Sequence, residues 1–122
     1  MGASMKDRPV ISTAIPKRRF QIGDYGVTLL GEIASSDRTG YRYILAFVRM
    51  GQREPELYVC SQEAPPGERS QGAYRLRLVS EAMSEDLDVG DQWGNLDTFS
   101  DQGLALGIQA LGLQSEMVAR LM

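Results

Sequence analysis

A chain of 122 residues is long enough for one domain with a sizeable core, and its hydrophobic content of 43% argues against general disorder. It holds one cysteine and no histidine, which excludes an internal disulfide and removes the commonest general base and metal ligand. The net charge of −3 is unevenly distributed. Residues 1–80 carry twelve basic and eight acidic side chains, whereas residues 81–122 carry one and eight.

The N-terminal part of the sequence has charges and prolines where a secretory signal would have an apolar run. Nowhere does an apolar stretch reach the roughly 18 residues of a membrane-spanning helix. We therefore expect a cytoplasmic protein without a membrane partner and without a cofactor. Residues 1–13 lack periodicity and are predicted to form a flexible N-terminal arm, followed by a single α+β domain over residues 14–122.

Residues ~18–80 alternate apolar and polar side chains in short stretches separated by turn residues, the pattern of β-strands. Strands joined by short loops predict an antiparallel meander of four or five strands. The third stretch is largely apolar on both faces, so we expect it at the centre of the sheet, covered on both sides. The predicted strands cover residues 20–22, 25–34, 41–50, 56–62 and 73–80.

The acidic segment 81–97 shows no regular periodicity and is interpreted as a loop that crosses from the sheet to the helical layer. Its carboxylates do not follow the spacing of a calcium-binding EF-hand, because Gly90 comes one residue too early, and we predict no metal site. Trp93 lies between two glycines in this segment. We expect it to close the edge of the core; the alternative is a lid over a pocket for a small ligand.

Two C-terminal helices are predicted to cover the sheet, at residues ~99–111 and ~114–121, with Ser100 as N-cap and Gly112 at the end of the first. Two glycines in the first helix cost about 1 kcal/mol each relative to alanine. They lie four residues apart on its apolar face, which indicates a close contact. Packing on the sheet is the first interpretation, and a crossing with another helix, either the second C-terminal helix or a helix of a second subunit, is the alternative. The predicted packing or dimer contact residues are Gly103, Gly107, Leu104, Ile108 and Leu111.

Basic residues offer a second candidate surface. Arg75 and Arg77 alternate with apolar residues and point to the outer face of their predicted strand, and Arg42 is a candidate for the same face. Such a face could bind an anion or nucleic acid. The sequence pI near 4.9 argues against nucleic acid, and partial neutralisation by the acidic segment is the simpler interpretation.

These observations favour a small non-enzymatic binding or accessory module that acts through protein–protein association, as a homodimer or with another protein. No residues are predicted to be catalytic. The chain has no histidine to activate Cys60, which we predict to be a small buried residue. The first alternative is a nucleic-acid-binding module that uses Arg42, Arg75 and Arg77. The second is a small-ligand-binding protein or enzyme with a pocket near Trp93.

Overall fold

The chain folds into an antiparallel sheet with an α-helix packed on one face. The structure, a computed structural model, describes residues 5–37 and 39–122. Over these two ranges it contains seven strands and one α-helix. They follow the order β1 (Ile11–Ile22), β2 (Tyr25–Ser35), β3 (Tyr41–Arg49), β4 (Leu57–Glu63), β5 (Tyr74–Ser80), β6 (Ser84–Gly90), α1 (Leu96–Leu111) and β7 (Val118–Arg120).

The sheet has the order β6-β5-β4-β3-β2-β1-β7, and each neighbouring pair is antiparallel. The predicted antiparallel sheet is confirmed. The predicted count of four or five strands is wrong, because the described chain has seven. β3 lies at the centre, and its residues from Tyr43 to Phe47 are buried on both faces of the sheet.

The acidic segment predicted as a crossover loop contains strand β6, followed by a 3-10 helix at Asp91–Gly94. Asp and Glu have a low preference for strands, so the sequence pattern did not indicate one. Pairing with β5 compensates for this, because Asp86 forms ion pairs with both Arg75 and Arg77 on that strand. Cross-strand charge pairs of this kind stabilise a sheet.

The second helix predicted at ~114–121 is wrong. The segment instead holds strand β7, which pairs with Phe20–Ile22 of β1. The left-handed conformation of Gly112 (φ 68°) ends α1 and turns the chain back toward the sheet. The apolar spacing that indicated a helix was overridden by the free edge of β1, which the returning chain completes.

The strand predicted at residues 20–22 is the end of a longer one, because β1 begins at Ile11 and pairs there with Ser35. Part of the arm predicted over residues 1–13, its first four residues, lies outside the described residues. α1 begins at Leu96, three residues before the predicted start. Its N-cap is Asn95, whose side chain accepts a hydrogen bond from the Thr98 N–H, whereas Ser100 lies buried inside the helix.

The sheet has two apolar faces, each with a different cover. We call the face under α1 the helix side; its core joins side chains of β1 to β5 with α1 and Trp93. We call the opposite face the arm side, because Met5 of the preceding segment packs onto it. The buried residues of the arm side are Met5, Ile44, Ala46, Tyr58, Cys60 and Val79.

Candidate association surface

The two glycines of α1 mark where this helix lies closest to its own sheet. A Cβ on Gly103 would lie 2.5 Å from Cδ1 of Leu45, and one on Gly107 would lie 2.1 Å from Cζ of Phe47. Only glycine leaves room for these two β3 side chains. The other predicted contact residues are partly buried against the same core, namely Leu104, Ile108 and Leu111. The glycine face of α1 therefore packs on the protein's own sheet. It is the face for which a helix of a second subunit was the alternative prediction.

The three arginines of the predicted basic surface do not share a face. Arg75 and Arg77 lie together on the arm side, where Arg75 forms ion pairs with Glu68 and Asp86. Arg77 lies 3.5 Å from a carboxylate oxygen of Asp7. Their charge is therefore largely neutralised within the chain.

Arg42 points to the helix side instead. Its guanidinium lies 4.9 Å from the ring centroid of Tyr43 and donates to the carbonyl of Gly94 at 3.3 Å. A register irregularity between Tyr41 and Tyr43 changes the alternation there, so the strand pattern assigned this arginine to the other face.

Trp93 is a buried part of the helix-side core rather than an exposed cover, with 7% of its surface exposed. Its indole N–H donates to Asp88 at 3.0 Å, and its carbonyl accepts a hydrogen bond from the buried hydroxyl of Ser61 at 2.6 Å. These contacts fix the tryptophan between β6 and the centre of the sheet. They support the interpretation that it closes the core.

Four carboxylates of the acidic segment contact neighbours in the chain, namely Asp86, Asp88, Asp91 and Asp97. Asp88 accepts from Trp93 and Gln92, and Asp91 accepts from the N–H of Ala73. No group of three or more His, Cys, Asp or Glu side chains close enough to hold a metal ion occurs in the part of the chain that the structure describes.

The arm side contains a cavity of about 320 Å³ between the arm and the sheet, with Cys60 at its lining. Burial raises the pKa of the Cys60 thiol to about 12, so the nucleophilic thiolate is scarce at neutral pH. Burial likewise raises the pKa of the Tyr41 hydroxyl, which lies at the same cavity. Neither the Cys60 thiol nor the Tyr41 hydroxyl is therefore a ready nucleophile at neutral pH.

The edges of the sheet differ in how they are protected against pairing with another chain. The β6 edge carries Glu85, Asp86 and Asp88, and charges on an edge discourage such pairing. Among the described residues no strand pairs with the outer side of β1 before Arg19, but this stretch contains Pro16, which has no N–H, together with several register irregularities. The β6 edge and the outer side of β1 are therefore both protected against pairing with another chain.

The β7 edge is less protected: it is short and carries one charge, Arg120, but it has no proline and no register irregularity. Within residues 5–37 and 39–122 no strand pairs with its outer side. The segment 117–122 exposes 87% of Met117, 47% of Val118, 64% of Leu121 and 48% of Met122. An unpaired backbone beside exposed apolar side chains is a template for strand addition. The sequence pattern missed this surface because it assigned the segment to a helix; the β-branched Val118 was the one local signal for a strand.

Comparison with known proteins gives no family model, no curated relative and no solved structure that matches this chain. The fold and site therefore rest on the geometry above. In the described ranges, the length and apolarity needed to cross a membrane are not met by any helix.

Proposed function

We propose that this protein is a non-enzymatic binding module that associates with another polypeptide through the open edge of β7. The observation that carries the proposal is that no described strand pairs with the outer edge of β7, beside four exposed apolar side chains at Met117, Val118, Leu121 and Met122. Strand addition at such an edge gains affinity from main-chain hydrogen bonds and specificity from alternate side chains.

Two further aspects of the chain fit this function. The buried, protonated Cys60 and the lack of histidine in the sequence leave few groups for catalysis. The ion pairs of Arg75 and Arg77 within the chain leave little free charge for nucleic acid. We also propose a cytoplasmic location, since the single cysteine has no partner for an internal disulfide.

The proposal is tested with a fluorescent peptide that has the sequence of residues 115–122 and is titrated into the full chain while anisotropy is measured. We expect saturable binding with a dissociation constant on the order of 100 µM, because the short edge offers few hydrogen bonds. Arg120→Pro should abolish binding, since proline removes the N–H at this position, which points away from β1.

Arg120→Ala is the matched control, because it removes the same side chain and keeps the N–H. It should bind the peptide nearly as the unaltered protein does. Equal binding by the proline and alanine variants would mean that the peptide does not add to the edge of β7, and the proposed function would then be wrong.

A further inference from the structure

The backbone of β7 has a defined set of free hydrogen-bonding groups. The N–H of Leu121 donates to the carbonyl of Arg19 on β1 at 2.7 Å. In an antiparallel pair, successive residues direct these groups to opposite sides. Ala119 therefore faces β1 with Leu121, and the outward N–H and C=O groups belong to Val118 and Arg120.

A second copy of the same strand can pair with this edge in three symmetric ways, and two of them are unfavourable. An axis at Arg120 would place two arginines directly opposite each other, which is destabilising. An axis at Val118 would require the N–H of Glu116 for the ladder, but this group already donates to the carbonyl of Leu113 at 3.0 Å. An axis at Ala119 needs no hydrogen bond from Glu116 and moves the two arginines from directly opposite to diagonal positions, where they are farther apart.

We propose that the partner is a second copy of this chain, with its β7 antiparallel to β7 across a two-fold axis at Ala119. The inference rests on the proposed function and names the partner of that same edge. Val118 and Arg120 of each copy then exchange main-chain hydrogen bonds with Arg120 and Val118 of the other. All the outward groups of the three-residue strand are thereby satisfied.

The side chains agree with this register. Met117 and Leu121, both well exposed in one copy, come directly opposite each other between the two copies. Arg120 lies diagonally across from both Glu116 and Arg120 of the second copy, so the attraction to the glutamate offsets the repulsion between the two arginines. The arrangement uses the same patch twice and closes as a dimer, so it does not extend into a fibre.

The test introduces a cysteine at the axis. In Ala119→Cys the two cysteines would form a non-hydrogen-bonded pair with Cα atoms about 4.5 Å apart, which suits a disulfide. We expect oxidised glutathione to convert this variant of the full chain into a covalent dimer on a non-reducing gel. Its initial rate should be about tenfold or more above that of Leu87→Cys on the β6 edge, because pairing holds the two thiols together.

The unaltered protein measures the background from Cys60, which is buried and whose raised pKa keeps its thiol protonated. A cross-linking rate for Ala119→Cys no greater than that of Leu87→Cys overturns the inference. So does a light-scattering mass that rises past the dimer with concentration. If the peptide still binds the unaltered protein and this binding is lost in Arg120→Pro, the proposed function stands with a different partner or register.

Discussion

The two sides of the sheet each have a cluster of a tyrosine, an arginine and a glutamate, but they take the arginine from different parts of the chain. On the helix side, Arg49 lies 5.0 Å from the ring centroid of Tyr25 and donates to its hydroxyl at 2.7 Å. The Tyr25 hydroxyl in turn donates to Glu56 at 2.6 Å. Arg49 and Tyr25 belong to paired strands, so the sheet itself holds this cluster together.

On the arm side, Arg8 lies 5.7 Å from the ring centroid of Tyr58 and donates to its hydroxyl at 3.0 Å. It also donates to Glu54 at 2.9 Å. Arg8 comes from the arm, outside the sheet. We therefore expect the helix-side cluster to open only when its strands separate, whereas the arm should detach locally and leave the sheet intact.

The largest effect is expected on the helix side, from Gly107→Ala. The added Cβ would meet the ring of Phe47, which is fully buried and cannot move away. Overpacking should outweigh the helix preference of alanine and lower the free energy of unfolding by about 2 kcal/mol, measured by urea denaturation. In a Phe47→Leu background, which has more room, Gly107→Ala should cost less stability than it does in the unaltered protein. A gain in stability on Gly107→Ala would show that α1 does not pack closely against Phe47.

A smaller effect is expected on the arm side, from Met5→Ala. Met5 is 7% exposed and packs on the arm-side residues. Because we expect the arm to detach locally, truncation of Met5 should lower the free energy of unfolding by about 1 kcal/mol, less than the roughly 2–5 kcal/mol of a methionine fixed in a core. The sharper measurement is the rate at which a thiol reagent modifies Cys60, which should rise several-fold as the arm detaches more often. Met50→Ala, at an exposed turn, is the control and should leave this rate unchanged. If modification of Cys60 only follows global unfolding, the arm is as firmly fixed as α1.

The smallest effect is expected from Glu56→Gln, and it should depend on pH. Hydrogen bonds from Arg49 and then Tyr25 hold the pKa of Glu56 below its usual value. A carboxyl with a lowered folded-state pKa stabilises the fold above its unfolded-state pKa, near 4.3, and loses this contribution as pH falls through the folded-state pKa. Glu56→Gln should therefore be less stable than the unaltered protein at about pH 7, and this difference should vanish at low pH. Urea midpoints across this range measure it, and a constant difference would contradict the assignment.

The alternating pattern of the sequence determined most of the sheet, because a strand with one buried face must place apolar residues at every second position. The apolar stripe of residues 99–111 and its two glycines likewise indicated a helix in close contact with something. The sequence could not say with what. In the tertiary structure Leu45 and Phe47 of β3 fill the space under those glycines.

Three features depended on contacts between distant residues, and local patterns missed them for that reason. Strand β6 is acidic and forms beside the arginines of β5, whose charges it balances. Arg42 changes face because an irregularity beside it breaks the alternation. The segment 117–122 has apolar spacing that suits a helix, yet it completes the edge of β1, because unpaired strand groups there offer hydrogen bonds that a short isolated helix cannot match.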